Sequence, residues 1–253
     1  MLNLEAYNGH LGMLIEQAKR FDVDYILCIG VDLKNAHYII DIAQQFKNVF
    51  ASVGVHPSEK LEITEEPSVQ DLIELADHPK VIAIGETGLD YYYNDSGLDI
   101  MRERFRRHIR AAIKIKKPLV IHTRKAQIDT ITILQEENAE KIRGVMHCFT
   151  ENLEMAKKAM ALNFYISFSG IITFKNAKEV NQVAKIIPLE KILIETDAPY
   201  LTPHPYRGKP NEPQYVRFIA EHLARLKNIP LQKVARQTTN NFFSLFDIDP
   251  VQK

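Results

Sequence analysis

Residues 81–86 read VIAIGE, an apolar run that is followed at once by a carboxylate. The same arrangement recurs along the chain, because His122 follows PLVI, His147 follows RGVM and Asp197 follows KILIET. Near-continuous apolar runs of this kind are typical of parallel strands that are covered on both faces. Parallel strands joined by helices bring their carboxyl ends to one face of a barrel, where barrel enzymes carry out chemistry. The four polar residues therefore predict one site on one face of the fold.

Strand-like runs alternate with helix-like segments over the whole chain. The runs are Tyr25–Gly30, Val49–Val55, Val81–Gly85, Pro118–Ile121, Gly144–Met146, Phe164–Phe168 and Lys191–Ile194. This alternation predicts a single α/β domain over residues 1–253 with a parallel sheet. A closed TIM barrel has eight strands, so we expect the remaining strand to precede Leu2. An open doubly wound sheet accommodates seven strands, but its usual Gly-rich phosphate loop is absent from the sequence.

The helical segments show the spacing of surface helices. A first helix is predicted over about His10–Phe21. In the segment Arg102–Lys117, Phe105 and Ile109 fall on one face and a row of basic residues falls on another. A DNA-binding role for this basic row is the less favoured interpretation, because helices outside a barrel normally carry charge on their solvent face.

The composition excludes several classes of protein. The 32 basic and 32 acidic residues cancel, so a nucleic-acid partner must be held by a local patch or by bound metal. Cys28 and Cys148 are far apart and lie in or beside apolar runs, which is typical of reduced cysteines in a cytoplasmic protein. No apolar stretch approaches the ~20 residues that cross a bilayer. The first twelve residues lack the pattern of a secretory signal.

Carboxylate and imidazole groups are suitable ligands for zinc, manganese or magnesium ions. Taken singly, Glu86 is explained equally well as a loop or helix-capping carboxylate. A lone histidine at the position of His122 or His147 is more often a buried residue with a hydrogen-bond partner than a metal ligand. Asp197 is harder to explain by packing, because a buried charge needs a partner. As a set, the four residues favour a metal site.

Three further residues are candidates for substrate contact. His56, in GVHP, is either a metal ligand, a hydrogen-bond donor to a substrate oxyanion, or a turn histidine beside Pro57. Arg207 lies in the proline-rich segment TPHPYRGKPNEP, which either brings a guanidinium to a phosphate or is a solvated connector. Tyr91, with the two tyrosines that follow it, could stack bases or pack under its own loop.

The motifs GVHP, GETGLDYYY, PLVIHTR, MHCFT, FYISFSG and ETDAPYL…RGKPNEP occur in the order seen in TatD-family metal-dependent deoxyribonucleases, which this chain resembles over essentially its whole length. The resemblance implies a TIM (β/α)8 barrel of the amidohydrolase type. It also implies a divalent-metal phosphodiesterase that degrades single-stranded DNA from 3′ to 5′. Glu86 would be the family's bridging glutamate, His122 and His147 its later histidine ligands, Asp197 its aspartate and His56 the contact to the scissile phosphate.

The chain departs from the family pattern at its start. The family opens with a strand that ends in Ser-His-x-His-Leu, and its two histidines bind the first metal. This sequence begins about where that motif should already have ended, and His10 has no histidine two residues away. We therefore expect either a natural protein that is longer upstream of Met1 or a protein that lacks one strand. The first is favoured, because losing a central strand would leave two unpaired neighbours.

These expectations combine into a mechanism. Two divalent metals, bridged by Glu86, would activate water, with Asp197 as the general base and with His56 and Arg207 orienting the phosphodiester. The main alternative is a metal-dependent hydrolase of a non-nucleic-acid ester or amide, since the fold hosts many reactions. A second alternative is a catalytically impaired module that binds metal or DNA.

Overall fold

The computed structural model describes residues 10–94 and 96–249. Within this part of the chain, each of the seven predicted strands is confirmed. They are β1 Ile26–Cys28, β2 Val49–Val53, β3 Val81–Asp90, β4 Leu119–Arg124, β5 Gly144–Met146, β6 Phe164–Phe168 and β7 Ile192–Ile194. The α-helices are α1 Leu11–Arg20, α2 Ala36–Gln45, α3 Val69–Ala76, α4 Leu98–Ile115, α5 Gln127–Glu136, α6 Leu153–Ala161, α7 Lys178–Ile186, α8 Val216–Lys227 and α9 Leu231–Phe246. The strand expected before Leu2 concerns a region outside the described residues and stays a prediction.

The chain divides into two compact units. Unit 1 comprises Met1–Ile26, Cys148–Ala156 and Ile166–Lys253, and unit 2 comprises Leu27–His147 and Lys157–Tyr165. The single domain expected over residues 1–253 stays a prediction. No helix in the described ranges is long and apolar enough to span a membrane.

Unit 2 is built on parallel strands that follow one another in chain order. β2 pairs with β3, β3 with β4 and β4 with β5, all in parallel. All ten residues of β3 are buried, which fits the apolar run of its first five residues, VIAIG. The long helix α4 packs against β3, and its Phe105 and Ile109 side chains are fully buried.

β3 and β4 extend further than the sequence predicts, so two expected positions need correction. Glu86 and His122 lie inside strands and not just past them. The pairing continues beyond the apolar runs because β3 contains an extra residue between Ile84 and Thr87, after which the register runs on to the strand ends. Such a bulge changes the direction of a side chain, and bulges are frequent beside active sites.

A glycine makes this close pairing possible. Gly88 has φ +131°, and a Cβ atom built on it would lie 2.0 Å from the carbonyl oxygen of His122. Any larger residue would push β3 away from β4 at the level of His122.

Unit 1 contains β7, the part of β6 that pairs with it, and the C-terminal helices. β6 pairs with β7 in parallel, with Ile166 opposite Ile192 and Phe168 opposite Ile194. The buried Asn241 of α9 donates hydrogen bonds from Nδ2 to the carbonyls of Leu189 and Ile192, which ties the helix to the start of β7. A buried amide that is satisfied in this way fixes the orientation of the helix as well as its position.

Candidate metal and substrate site

Glu86 lies at the centre of a cluster of imidazoles in unit 2. Its Oε1 atom is 3.2 Å from Nδ1 of His122, 3.6 Å from Nε2 of His56 and 4.0 Å from Nε2 of His147. The Glu86 side chain is 2% exposed, so the carboxylate has little access to bulk water. The structure therefore brings together three of the four predicted metal ligands and the predicted substrate histidine.

The electrostatics of the cluster favour an ionised carboxylate. Burial opposes ionisation of Glu86, but the neighbouring His147, His122 and His56 outweigh it and hold the pKa of Glu86 well below its usual range. Its second oxygen, Oε2, is buried and has no hydrogen-bond partner among the described residues. A buried anionic oxygen without a donor is costly unless a cation binds it.

Asp90 determines how His122 faces this carboxylate. Its Oδ2 atom accepts a hydrogen bond from Nε2 of His122 at 3.0 Å, while Oδ1 accepts the backbone N–H groups of Tyr92 and Tyr93 at 2.9 and 3.1 Å. Burial lowers the pKa of His122, but the hydrogen bonds to Asp90 and Glu86 outweigh burial and raise it to about 9. With Nε2 committed to Asp90, Nδ1 is the nitrogen left to bind a metal beside Glu86. Carboxylate–histidine–metal arrangements of this kind orient the ligand and raise its basicity.

His56 is better suited to donate a hydrogen bond than to bind a metal. Its Nδ1 atom accepts the backbone N–H of Ser58 at 3.1 Å, so in the neutral ring the proton is on Nε2. Burial lowers the pKa of His56 and keeps the ring neutral. Its ligand atom lies within 4.8 Å of those of Glu86 and His122, which is close enough for a shared ion, but a protonated Nε2 has no lone pair to offer. The Nε2–H group can instead donate to an oxygen of a substrate.

Two buried residues of α4 hold the loop that carries His56. Arg104 donates to the carbonyls of His56 and Glu59 and forms an ion pair with Glu66. One turn later, His108 accepts the N–H of Val55 on Nε2 at 3.0 Å. The backbone on both sides of the His56 side chain, from the N–H of Val55 to the carbonyl of Glu59, is thus held by one helix.

The donor set of unit 2 fits a divalent cation. Glu86 offers a carboxylate with one unpartnered oxygen, and its other oxygen lies 3.2 Å from a ring nitrogen of His122 and 4.0 Å from one of His147. Mixed nitrogen and oxygen ligands suit zinc and manganese more than calcium. That Glu86, His122 and His147 together would hold the ion stays a prediction.

Tyr91 is oriented by contacts that involve its hydroxyl. The hydroxyl donates to Oδ2 of Asp129 at 2.6 Å and accepts from Nε of Arg102 at 2.9 Å. Burial, followed by the hydrogen bond to Asp129, raises the pKa of Tyr91 to about 12. The substrate contact expected of Tyr91 stays a prediction, while the two tyrosines after it are far more exposed.

Asp197 and Arg207 belong to unit 1. Asp197 follows β7 with φ 58°, and its carbonyl accepts the N–H of Tyr200 at 2.9 Å. The guanidinium of Arg207 lies 3.9 Å from the ring centroid of Phe174 and donates to the carbonyl of Thr202. The expected roles of Asp197 as ligand and base, and of Arg207 as phosphate contact, stay predictions.

Comparison with known proteins agrees with a hydrolase site of this composition. A sequence profile described as "TatD related DNase" matches residues 2–247. The chain belongs to this family. It is 44% identical over 248 residues to YabD of Bacillus subtilis, with 98% of this chain and 97% of YabD covered. It is 42% identical to YcfH of Escherichia coli, with 98% of this chain and 92% of YcfH covered. Both relatives are described as uncharacterized metal-dependent hydrolases.

Solved structures place this TatD-family chain in a fold class. The crystal structure of YjjV, a TatD homologue from Escherichia coli, is similar with a TM-score of 0.88 at 25% identity, covering 95% of this chain and 93% of YjjV. An organophosphate hydrolase engineered from a lactonase is similar with a TM-score of 0.66 at 13% identity, covering 94% of this chain and 88% of that protein. The second likeness extends to the fold alone. The chain has the α/β, TIM-barrel-like fold of amidohydrolases and is a metal-dependent hydrolase of the TatD family.

Sequence reasoning missed Asp90, Arg104 and His108. Asp90 is two residues after Gly88 within the GETGLD motif. Residues two apart lie on the same face of a strand, so this spacing was the available signal for Asp90. Arg104 and His108 are spaced by four residues and adjoin the apolar Phe105 and Ile109, so polar residues on the buried face of α4 were the available signal.

Proposed function

We propose that this TatD-family hydrolase is a metal-dependent phosphodiesterase that acts on DNA, preferably on single strands. The observation that carries the proposal is the buried Glu86 carboxylate, which faces three imidazoles and keeps one oxygen without a hydrogen-bond donor among the described residues. The family name supports DNA as the substrate. The resemblance implies two ions, of magnesium, manganese or zinc.

A bound divalent ion supplies a water of lowered pKa and polarises a phosphoryl oxygen. Residues of the chain bind the cation, orient the substrate and accept the proton. Glu86, His122 and His147 hold the cation, and Asp90 keeps the proton of His122 on Nε2. His56 donates from Nε2–H to a non-bridging oxygen of the phosphodiester, where negative charge increases in the transition state. Arg207 pairs with a phosphate of the same strand, and Asp197 accepts the proton of the attacking water.

The first test is manganese- or magnesium-dependent cleavage of a 3′-labelled and a 5′-labelled single-stranded oligonucleotide, beside an aryl ester, a lactone and an amide. We expect cleavage of the oligonucleotide only, and loss of at least ~100-fold in kcat/KM for Glu86→Gln because the variant lacks the anionic ligand. Glu65→Gln, a change of an exposed glutamate in the same unit, is the control and should be fully active. Cleavage of the ester or amide in place of DNA would establish the alternative substrate class.

The second test concerns Asp197. If its carboxylate accepts the proton of the attacking water, Asp197→Asn should lose ~100-fold or more in kcat, because an amide is not a base at neutral pH. The circular dichroism spectrum and the melting temperature should stay close to those of the parent chain. An Asp197→Asn variant with near-normal kcat would show that another group accepts the proton.

A further inference from the structure

An exposed pair of tyrosines lies next to the cluster of Glu86 and its histidines in unit 2. Tyr92 and Tyr93, here called the tyrosine pair, are 50% and 66% exposed, and their ring centroids are 4.8 Å apart in an edge-to-face arrangement. Adjacent exposed rings form an apolar surface patch, and such patches can mark a binding site. Tyr91, whose hydroxyl is engaged by Asp129 and Arg102, does not share this exposure.

Two cations of β4 and the turn after it accompany the tyrosine pair. The guanidinium carbon of Arg124 is 4.0 Å from the ring centroid of Tyr92 and 4.7 Å from that of Tyr93, and Nζ of Lys125 is 4.9 Å from the Tyr92 centroid. These contacts hold the rings in place and add positive charge beside them. Exposed rings combined with cations suit a ligand that has both flat aromatic groups and negative charge.

The carboxylate of Asp90 connects the tyrosine pair to the cluster of Glu86 and its histidines. Asp90 accepts the backbone N–H groups of Tyr92 and Tyr93 on Oδ1 and the Nε2–H of His122 on Oδ2. The tyrosine backbone is thus separated from a metal-binding imidazole by a single side chain. Because the link uses backbone N–H groups, substitution of either tyrosine side chain leaves it intact.

We propose that the tyrosine pair stacks a base of a single-stranded polynucleotide, in the nucleotide next to the phosphate that is cleaved, and that Arg124 contacts an adjacent phosphate. This proposal rests on the proposed function and assigns a substrate-binding surface to it. A base can stack on an exposed ring only when it is not stacked within a duplex, so the surface selects single strands. Stacking is tolerant of base identity because every base has a π-face, and the selection is for strandedness and not for sequence.

The experiment separates stacking from structural effects by changing the ring and the base independently. The variants are Tyr92→Leu/Tyr93→Leu, Tyr92→Phe/Tyr93→Phe and, as a matched control, Tyr38→Leu, which alters a tyrosine that is 47% exposed on α2. Each variant is assayed on a short oligonucleotide and on the same oligonucleotide with abasic residues flanking the cleaved bond. Binding is measured in parallel, in EDTA, from the quenching of 2-aminopurine placed at those positions.

We expect the leucine double variant to have a KM about tenfold higher than the parent chain on the oligonucleotide that carries all its bases. Its Kd for the strand that contains 2-aminopurine should rise by about the same factor. The phenylalanine variant should recover most of the affinity, because the ring and not the hydroxyl stacks. On the abasic strand, the ratio between the leucine variant and the parent chain should fall below about twofold. Tyr38→Leu should match the parent chain throughout.

Two results would overturn the proposal: an unchanged Kd in the leucine variant, or an equal loss on normal and abasic strands. Failure of the proposed function is distinguishable, since it would appear as no cleavage of any oligonucleotide by the parent chain with manganese. In that case the 2-aminopurine measurement still decides whether the tyrosine pair binds bases.

Discussion

At the scale of single residues, the site is organised around one buried charge. The Glu86 carboxylate is ionised in surroundings that oppose ionisation because His147, His122 and His56 face it. Two of these imidazoles differ in what they can do, because their second nitrogens have different partners. His122 is oriented by Asp90 and can bind metal through Nδ1, while His56 accepts from Ser58 and is left with a donor. The same residue type can thus act as a ligand or as a donor in one cluster.

Asp90→Asn should weaken Mn²⁺ binding by 10- to 100-fold, as measured by isothermal titration calorimetry. An asparagine can still accept the N–H groups of Tyr92 and Tyr93, but its amide would donate towards Nε2 of His122. His122 would then carry its proton on Nδ1, where the lone pair for the metal is needed.

The control for this measurement is Asp99→Asn, because Asp99 is 99% exposed and pairs only with Arg102 among the interactions of the described residues. The control should bind Mn²⁺ with unchanged affinity. If Asp90→Asn and Asp99→Asn bind equally well, Asp90 does not orient the ligand.

At the scale of secondary structure elements, α4 acts as the support of the substrate side of the site. Its buried face contains Arg104 and His108 beside Phe105 and Ile109. Arg104 is tied to Glu66 and to two loop carbonyls, and His108 bridges Val55 N–H and its own helix at the Arg104 carbonyl. A buried ion pair adds little net stability, but it fixes the geometry of the loop it contacts.

The stability of the protein should depend on pH through His108. Burial lowers the pKa of His108 from 6.5 to about 4, so between these values the unfolded chain binds a proton that the folded chain does not. Stability is therefore complete above pH 6.5 and decreases as the pH falls, by roughly 2 kcal/mol between pH 7 and pH 5.

His108→Gln is the matched variant for this prediction, because glutamine can accept from Val55 and donate to the Arg104 carbonyl without titrating. Urea unfolding at pH 7 and pH 5 should show the parent chain losing roughly 2 kcal/mol more than His108→Gln over this interval. An equal loss in the two proteins would show that His108 does not carry the pH dependence.

At the scale of the whole molecule, the net charge of the chain provides no attraction for a polyanionic substrate. The 32 basic and 32 acidic residues cancel, so there is no long-range attraction for a polyanion. If the proposed function holds, affinity for DNA would come from local groups, which in unit 2 would be the cation, His56, the tyrosine pair and Arg124. Binding energy would then be concentrated next to the reacting phosphate, where it can also position the substrate.

Metal binding should stabilise the whole protein. Since the folded cluster binds the ion and the unfolded chain does not, Mn²⁺ at 100 times its Kd should add about 2.7 kcal/mol to the free energy of unfolding. The measurement is urea unfolding with Mn²⁺ and with EDTA. Glu86→Gln should lose this increment and Glu65→Gln should keep it. An increment of the same size in Glu86→Gln would mean that the ion binds elsewhere.

The sequence by itself determined the strand–helix alternation, the approximate positions of the seven strands, the family and the candidate metal-ligating residues, because apolar runs, their polar ends and the family motifs are local patterns. It could not place the ends of β3 and β4, since these depend on a bulge and on the contact of Gly88 with a neighbouring strand. Only the tertiary structure decided which nitrogen of His122 is available, because its partner Asp90 lies on the neighbouring strand β3. Arg104 and His108 likewise acquired their roles only when α4 packed beneath the loop of His56, a contact that spans about fifty residues of sequence.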